Sequence, residues 1–394
     1  MKELHLALIS GPQYDGLLEV LPAFEQETGY RLHVDVRLPH VELNERMAHD
    51  LGTAEGHYDL ISTHTKYCPS QAEHLYALDD MVRAGELADF VPRVLELCSF
   101  ATGIDPTHEK LMQLPRNFDA RILFYRADLV SAPQTWDEAV AQMVRHKRDG
   151  FYGFAFPGRH SGLFGTFYEL LGMAGGELFD ADLNPIFNSA AGEWALNFLH
   201  RVHSVERVTP PDLLENWYYD EVSGRFRVGD VLMVGDWPAF YGLYRHPETC
   251  AVFDQFDVAP YPSGPAGIRK AYAGGHSFAI PKAARDPEGA LTLAKYLTSP
   301  NVQWLEASVG GHTPVRRSIF EKMKAAESIT QRDAKRMAVL EETVNQYAMV
   351  PPRFARYPLI EDILWSGVQQ AMRGTYTPKE VLLMMEKKVL EVLA

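Results

Sequence analysis

Six short stretches of this 394-residue chain carry side chains suited to binding chemistry: Gln13-Tyr14-Asp15, His64-Thr65-Lys66-Tyr67, Asn117 to Arg121 with Asp119 inside it, Arg159-His160, Asp236-Trp237 and Gly274-Gly275-His276. Each mixes aromatic rings with short polar or basic groups, or adjoins such residues. A neutral polyhydroxy compound needs that mixture, because aromatic faces lie against the C–H faces of a sugar ring while Asp, Asn, Arg and His bond its hydroxyls. Taken singly, each residue also has a plainer reading: aromatics pack in cores, and an Asp after a strand caps a helix. Catalytic signatures are absent. There is no HExxH, Walker A, GxSxG or helix-opening GxGxxG motif. The 15 histidines are scattered, and His57, His64 and His74 share no spacing that turns two of them from one helix face towards a metal. Carboxylates are plentiful, yet no feature singles out a glycosidase pair. The expectation is a binding protein rather than an enzyme, with no catalytic residues, no cofactor and no metal.

These stretches matter because of where they fall. Leu4, Leu6 and Leu8 alternate and Ile9 follows, which predicts a strand ending at Ser10-Gly11-Pro12. Leu17, Leu18, Leu21, Phe24 and Thr28 then predict a helix with Pro22 as its weak point and Gly29 as its cap. A strand over Arg31 to Arg37, a helix over Val41 to Leu51 and a strand over Tyr58 to Ser62 continue the alternation. The same pattern returns with strands at Ile122 to Tyr125, Gly153 to Phe156, Val231 to Gly235 and Phe278 to Ile280. Helices are predicted over Thr135 to Arg148, with Thr135 and Glu138 as a capping box, over Ala190 to Ser204, and over Pro287 to Leu297 ahead of Pro300. The last part of the chain reads as helical over Ile319 to Gln346, Ile360 to Arg373 and Pro378 to Leu393. Alternating β and α units predict parallel sheets covered on both faces. In open sheets of that kind, ligands bind beyond the carboxyl ends of the strands, and the six stretches adjoin strand ends.

At about 150 residues per domain the length predicts two or three cores, and 46% hydrophobic with 11% aromatic content supports large ones. The Pro-, Gly- and Tyr-rich run Ala259 to Gly275 and the stretch Leu114 to Asp119 are the candidate connections. More than one connection implies a discontinuous domain: residues 1–112 with 268–315 form one lobe, and residues 113–267 with 316–394 the other. A formal charge of −14 repels a phosphate backbone, so nucleic acid and anionic membrane are excluded as broad electrostatic partners. Cys68, Cys98 and Cys250 form neither a disulfide framework nor a CxxC pair and read as three separate thiols. No apolar run reaches the roughly 18 to 20 residues that span a bilayer. Met-Lys-Glu-Leu-His leads directly into a strand without a signal-peptide pattern, which fits either a cytosolic protein or a chain whose targeting segment has been removed.

Several longer segments resemble the extracellular solute-binding proteins of ABC importers, specifically the family 1 group with many sugar-binding members. They are Phe226 to Trp237, Gly274 to Pro281 followed by Ala290 to Pro300, Gly310 to Arg316, Leu21 to Gly29, and Tyr58 to Ile61. The resemblance implies a two-lobed α/β periplasmic-binding-protein-like fold with a hinged ligand cleft and a helical C-terminal segment. It implies a monomer that captures a small-molecule carbohydrate and hands it to the membrane permease subunits of an ABC importer. Localisation is then periplasmic or extracellular, with the signal peptide removed. The ligand-contact regions it implies fall at Gln13 to Asp15, His64 to Tyr67, Asn117 to Asp119, Trp237 and Gly274 to His276, with Arg353 as a further candidate.

Lys66, Arg159, His160, His276 and Arg353 offer a second substrate reading, an acidic sugar derivative whose carboxylate meets a planar guanidinium. Trp217-Tyr218-Tyr219-Asp220 offers a third. Related carriers of ferric ion use adjacent tyrosines, and phenolate oxygens are hard ligands for a hard cation. An enzyme on a two-domain α/β scaffold stands last.

Overall fold

Along the strand Lys2–Ile9, Leu4, Leu6 and Leu8 point into one apolar core while Ala7 and Ile9 point into another. Successive side chains on a strand alternate faces, so this strand is buried on both sides. The computed structural model describes residues 2–11, 14–53, 57–79, 81–101, 109–326 and 330–394. Within it the chain divides into two compact units. The first is Met1–Asp119 with Gly274–Ile329 and Pro351–Ala355; the second is Ala120–Ala273 with Thr330–Val350 and Arg356–Ala394.

The first unit is built on a five-stranded sheet in the order Tyr30–Leu38, Lys2–Ile9, Leu60–His64, His276–Ala279, Leu114–Pro115. Lys2–Ile9 runs parallel to its neighbours on both sides, whereas His276–Ala279 returns antiparallel to Leu60–His64 and Leu114–Pro115. The sheet is therefore mixed rather than purely parallel. One buried carboxylate links it to its covering helix. Asp59 accepts from the His5 amide at 2.8 Å and from the Arg285 and Asp286 amides at 2.8 and 3.1 Å, just ahead of the helix Pro287–Leu297.

The second unit carries a four-stranded sheet in the order Phe256–Ala259, Ile122–Arg126, Val231–Asp236, Tyr152–Ala155. Its two central strands are buried along their whole length. The helix His160–Met173 is apolar almost all round and packs against Tyr357–Met372 and Ala190–His200. Pro378–Leu393 packs against Tyr357–Met372 in turn.

Most predicted elements form, with informative shifts. The helix expected over Leu17 to Thr28 divides into a 3₁₀ turn Asp15–Val20 and an α-helix Leu21–Thr28. Pro22 sits in the first turn of that helix, where its missing N–H is not needed, and Gly29 ends it with a φ of 76°. Thr135 Oγ1 accepts from the Glu138 amide at 3.2 Å, but Glu138 Oε2 accepts from Gln134 N rather than from Thr135, so only half of the expected capping box is present. The helix Ala190–His200 ends in a wider π turn, Arg201–Val205. In place of one helix from Ile319 to Gln346 there are two, Arg317–Ala325 and Gln331–Glu342. Strand Leu60–His64 lies two residues later than predicted, which makes His64 the strand's last residue instead of part of a loop.

The three cysteines are buried and unpaired. Among the described residues, no helix is long and apolar enough to cross a membrane. Leu6 is 0% exposed at the centre of the first sheet, so Leu6→Ala is expected to cost about 2–5 kcal/mol in denaturant unfolding. Leu383→Ala, on the outer face of Pro378–Leu393, is expected to change stability by no more than about 0.5 kcal/mol.

Candidate functional site

In the first unit, strand ends gather imidazole and phenol rings. His64 closes one strand, His276 opens the antiparallel one paired with it, and His40 begins the helix His40–Asp50 just after Tyr30–Leu38. The three imidazole centroids lie 5.0, 5.4 and 5.5 Å apart, and each pair is close to perpendicular. Tyr67 stands 5.8 Å from His40 and 6.4 Å from His64, with the buried Lys66 Nζ 4.7 Å from the Tyr67 ring centre. Tyr14 pairs through its hydroxyl with His276 Nε2 at 2.8 Å and stacks on His312 at 5.8 Å. Gly274 leaves room for the His64 ring, since a Cβ there would meet Nε2 at 2.5 Å.

Burial is the first cause of the charge state here. It drives His40 down to about 3, aided by the Lys66 charge, and drives His64 and His276 well below the ordinary imidazole value. The three rings are therefore neutral. His64 Nδ1 accepts from the Lys66 amide at 3.2 Å, which leaves the ring proton on Nε2. Lys66 and Arg116 beside these rings oppose a cation. Among the described residues, no group of three or more His, Cys, Asp or Glu is arranged to hold a metal ion.

The remaining predicted residues of this unit are engaged internally. Asp15 pairs with Arg37 at 2.6 Å. Asn117 Nδ2 donates to Asp119 Oδ2 at 2.5 Å, and Asn117 Oδ1 accepts from the His276 amide at 3.3 Å. Asp119 Oδ1 accepts from Thr313 N at 2.9 Å. Burial would raise the Asp119 carboxyl, but hydrogen bonding and charge from His312 and bonding to Thr313 hold it below the usual range. Thr65 and Gly275 join their backbones at 3.0 Å. Arg353 is held by backbone carbonyls: it donates to those of Glu96 and Ser99 and covers Phe100. Gln13 lies outside the described residues.

In the second unit the Arg121 guanidinium is fully buried and bonds Glu169 through two parallel contacts of 3.0 and 2.7 Å. It lies 5.9 Å from the Trp237 ring and 5.5 Å from the Tyr272 ring. Trp237 is half-buried and contacts Tyr219 and Tyr272, each at 5.8 Å between centroids. Tyr219 meets Tyr218 at 4.3 Å, and Tyr218 meets His160, which lies against Trp365 at 5.0 Å. The Tyr218 hydroxyl is bonded to Ser161 Oγ at 2.8 Å.

Asp236 lies beneath this surface. It accepts from the Trp237 amide at 2.8 Å and from the Tyr244 hydroxyl, and burial raises its carboxyl to about 8. Trp217 is buried and donates to Asp212 at 3.1 Å. Arg159 precedes the helix His160–Met173, and its Nε is buried without a hydrogen-bond partner.

The sequence reading did not single out His40, Arg116, His312, Glu169, Tyr272 or Trp365. His40 carried a usable signal, since it stands two residues past the strand Tyr30–Leu38. Glu169 carried another, a lone carboxylate inside the apolar run Phe167 to Leu171. Arg116, His312 and Tyr272 acquire their neighbours only by folding.

With this geometry in place, likeness to known proteins becomes informative. Residues 10–304 match the family of bacterial extracellular solute-binding proteins. Over 96% of its length the chain aligns, at 26% identity, with 86% of a probable amino-acid ABC transporter periplasmic-binding protein of Sinorhizobium fredii. Maltose-bound T. maritima MalE3 superposes with a TM-score of 0.89 at 24% identity, each chain covered to 100%. A solute-binding protein from Thermotoga lettingae bound with α-D-tagatose superposes with a TM-score of 0.87 at 21% identity, again over 100% of both chains. The α/β solute-binding fold expected from the sequence is the fold found.

The neutral imidazoles make a testable link to pH. His40 is uncharged in the fold, whereas in the unfolded chain it takes up a proton below about 6.5, so its contribution to stability is lost as pH falls from 6.5 towards 3. His40→Gln cannot take up that proton and is expected to lose less stability on acidification, by up to about 1.4 kcal/mol per pH unit below 6.5. Denaturant unfolding of both proteins at neutral and acid pH checks this, and equal losses refute it.

Proposed function

The chain belongs to the bacterial extracellular solute-binding protein family, and from that premise we propose that it captures a neutral carbohydrate outside the cytoplasmic membrane and delivers it to the permease of an ABC importer. The observation that carries this reading is the half-buried Trp237 ring, flanked by Tyr219 and Tyr272 and backed by Arg121. A flat, partly exposed indole bordered by phenols offers the C–H face of a sugar what it needs. The imidazoles and the Tyr14 hydroxyl in the first unit supply neutral donors and acceptors for hydroxyl groups. The maltose and tagatose bound by the two similar solved structures fit the same class.

A neutral ligand is favoured over an acidic sugar where the cations are paired; Arg159, whose Nε has no hydrogen-bond partner, is the exception and keeps the acidic sugar as the runner-up. Arg116 is bonded to Glu306, Arg121 to Glu169, and Arg353 to backbone carbonyls. A ligand carboxylate would have to displace a partner already in place. The ferric reading is weakened by the Tyr218 hydroxyl, which is already committed to Ser161. The name of the Sinorhizobium relative favours a second reading, an amino acid as ligand.

Mechanism follows from linkage. A ligand that binds one conformation of the protein better than another shifts the population towards the conformation it prefers. The protein acts as a monomer and returns its ligand unchanged.

Calorimetric titration with maltose, D-tagatose, mannitol, glucuronate and a set of amino acids separates these readings. Binding of a neutral saccharide or sugar alcohol is expected, and binding of amino acids alone overturns the proposal. Trp237→Ala is expected to weaken carbohydrate binding about 10-fold or more, about 1.4 kcal/mol, without lowering the unfolding temperature to a matching degree.

A further inference from the structure

A buried ion pair usually contributes little net stability, because desolvation offsets the attraction between its charges. Arg121 and Glu169 are both almost wholly buried, so a local function should account for the pair. Three observations locate one. The guanidinium lies within cation–π range of two rings at once, Trp237 and Tyr272. Glu169 Oε1, besides accepting from Arg121 Nε, accepts from the Tyr272 amide at 2.7 Å and so fixes the backbone that carries the second ring. The helix bearing Glu169 also makes room for the assembly at Gly165, where a Cβ would stand 2.7 Å from the Tyr272 ring and 2.8 Å from the Arg121 guanidinium. Thr166 Oγ1 and the Gly162 carbonyl complete the cradle by accepting from Arg121 Nη1 at 3.3 and 3.4 Å.

We propose that Glu169 is a positioning residue for ligand binding: held bidentately, Arg121 serves as the rigid backing of the Trp237–Tyr272 platform and is not a contact for a charged ligand. The inference rests on the carbohydrate reading above. It adds that affinity is set one layer beneath the ring that touches the sugar. A fork of five donors fixed at both oxygens of a carboxylate has little freedom to rotate, and the ring lying on it inherits that order. Removal of one carboxylate oxygen leaves a buried guanidinium that must find another partner, and the rings shift as it does.

The test uses the full chain and a readout that needs no ligand. Iodide quenching of Trp237 is taken as the difference between each protein and its Trp237→Phe counterpart. Glu169→Gln is expected to change that quenching at least about twofold. Gly165→Ala, which leaves the charges intact but intrudes between Arg121 and Tyr272, is expected to do the same and serves if Glu169→Gln does not fold. Carbohydrate affinity is then compared by titration with the panel above, well below each unfolding temperature. Glu169→Gln is expected to weaken binding about 10-fold in the wild-type background and hardly at all in Trp237→Ala, because the two residues act in series.

Quenching unchanged in both variants, or an equal loss of affinity in both backgrounds, overturns the proposal and leaves the carbohydrate reading standing. Lowered stability with unaltered quenching and affinity assigns the pair a purely structural role and also overturns it. Failure of every saccharide and sugar alcohol to bind the wild-type protein overturns the carbohydrate reading itself.

Discussion

A strand buried on both faces has nowhere to display polar chemistry except at its ends. Leu4, Leu6 and Leu8 commit one face of the first strand and Ala7 and Ile9 commit the other. The central strands Ile122–Arg126 and Val231–Asp236 are equally enclosed. Several candidate binding residues therefore stand at a strand terminus or just beyond one. His64 ends a strand, His276 begins one, and Asp236 ends another immediately before Trp237.

The same enclosure governs the charges. A charge removed from water requires a partner, and the sites contain cations whose partners belong to the fold itself: Glu306 for Arg116 and Glu169 for Arg121. The histidines adopt the other solution and shed the charge, since burial and the neighbouring Lys66 make the imidazolium costly. Glu169 shows the tension directly. Burial raises its carboxyl to about 7 although Arg121 pulls the other way. Surfaces built on these terms present rings and neutral donors, and their charges act from behind.

Local periodicity made much of this readable. Pro378–Leu393 and Pro287–Leu297 form with the limits their stripes and prolines imply. Where the reading slipped, a short-range rule met a longer-range one. Pro22 interrupts the longer apolar stripe from Leu17, yet it stands in the first turn of the helix Leu21–Thr28. Glu138 had the right type for a capping box, but its side chain reaches Gln134. In the candidate sites, the rule that chemistry follows strands led to His64 and Trp237, whose places depend on their own strands. It did not lead to Glu169, which sits in the middle of a helix, or to His312, which stacks on Tyr14 from far along the chain. Trp217 and Arg353, candidates from the tyrosine-pair motif and the family resemblance, have hydrogen bonds to Asp212 and to two backbone carbonyls.

What the amino-acid sequence determined by itself was the class of the molecule: α/β units, an acidic globular chain, isolated thiols, and strand ends rich in aromatic and polar groups. These are properties of residue order and composition, to which hydrophobic periodicity and net charge respond directly. Tertiary structure decided which polar groups remain available and which are consumed. Asp15 and Asn117 look alike as loop residues, yet one is tied to Arg37 and the other to Asp119 and the His276 backbone. Arg121 and Glu169 are 48 residues apart in the chain and become one unit only when the residue ahead of strand Ile122–Arg126 meets the helix His160–Met173. Hydrogen bonds and ion pairs act over a few ångströms, and sequence separation carries no record of that distance.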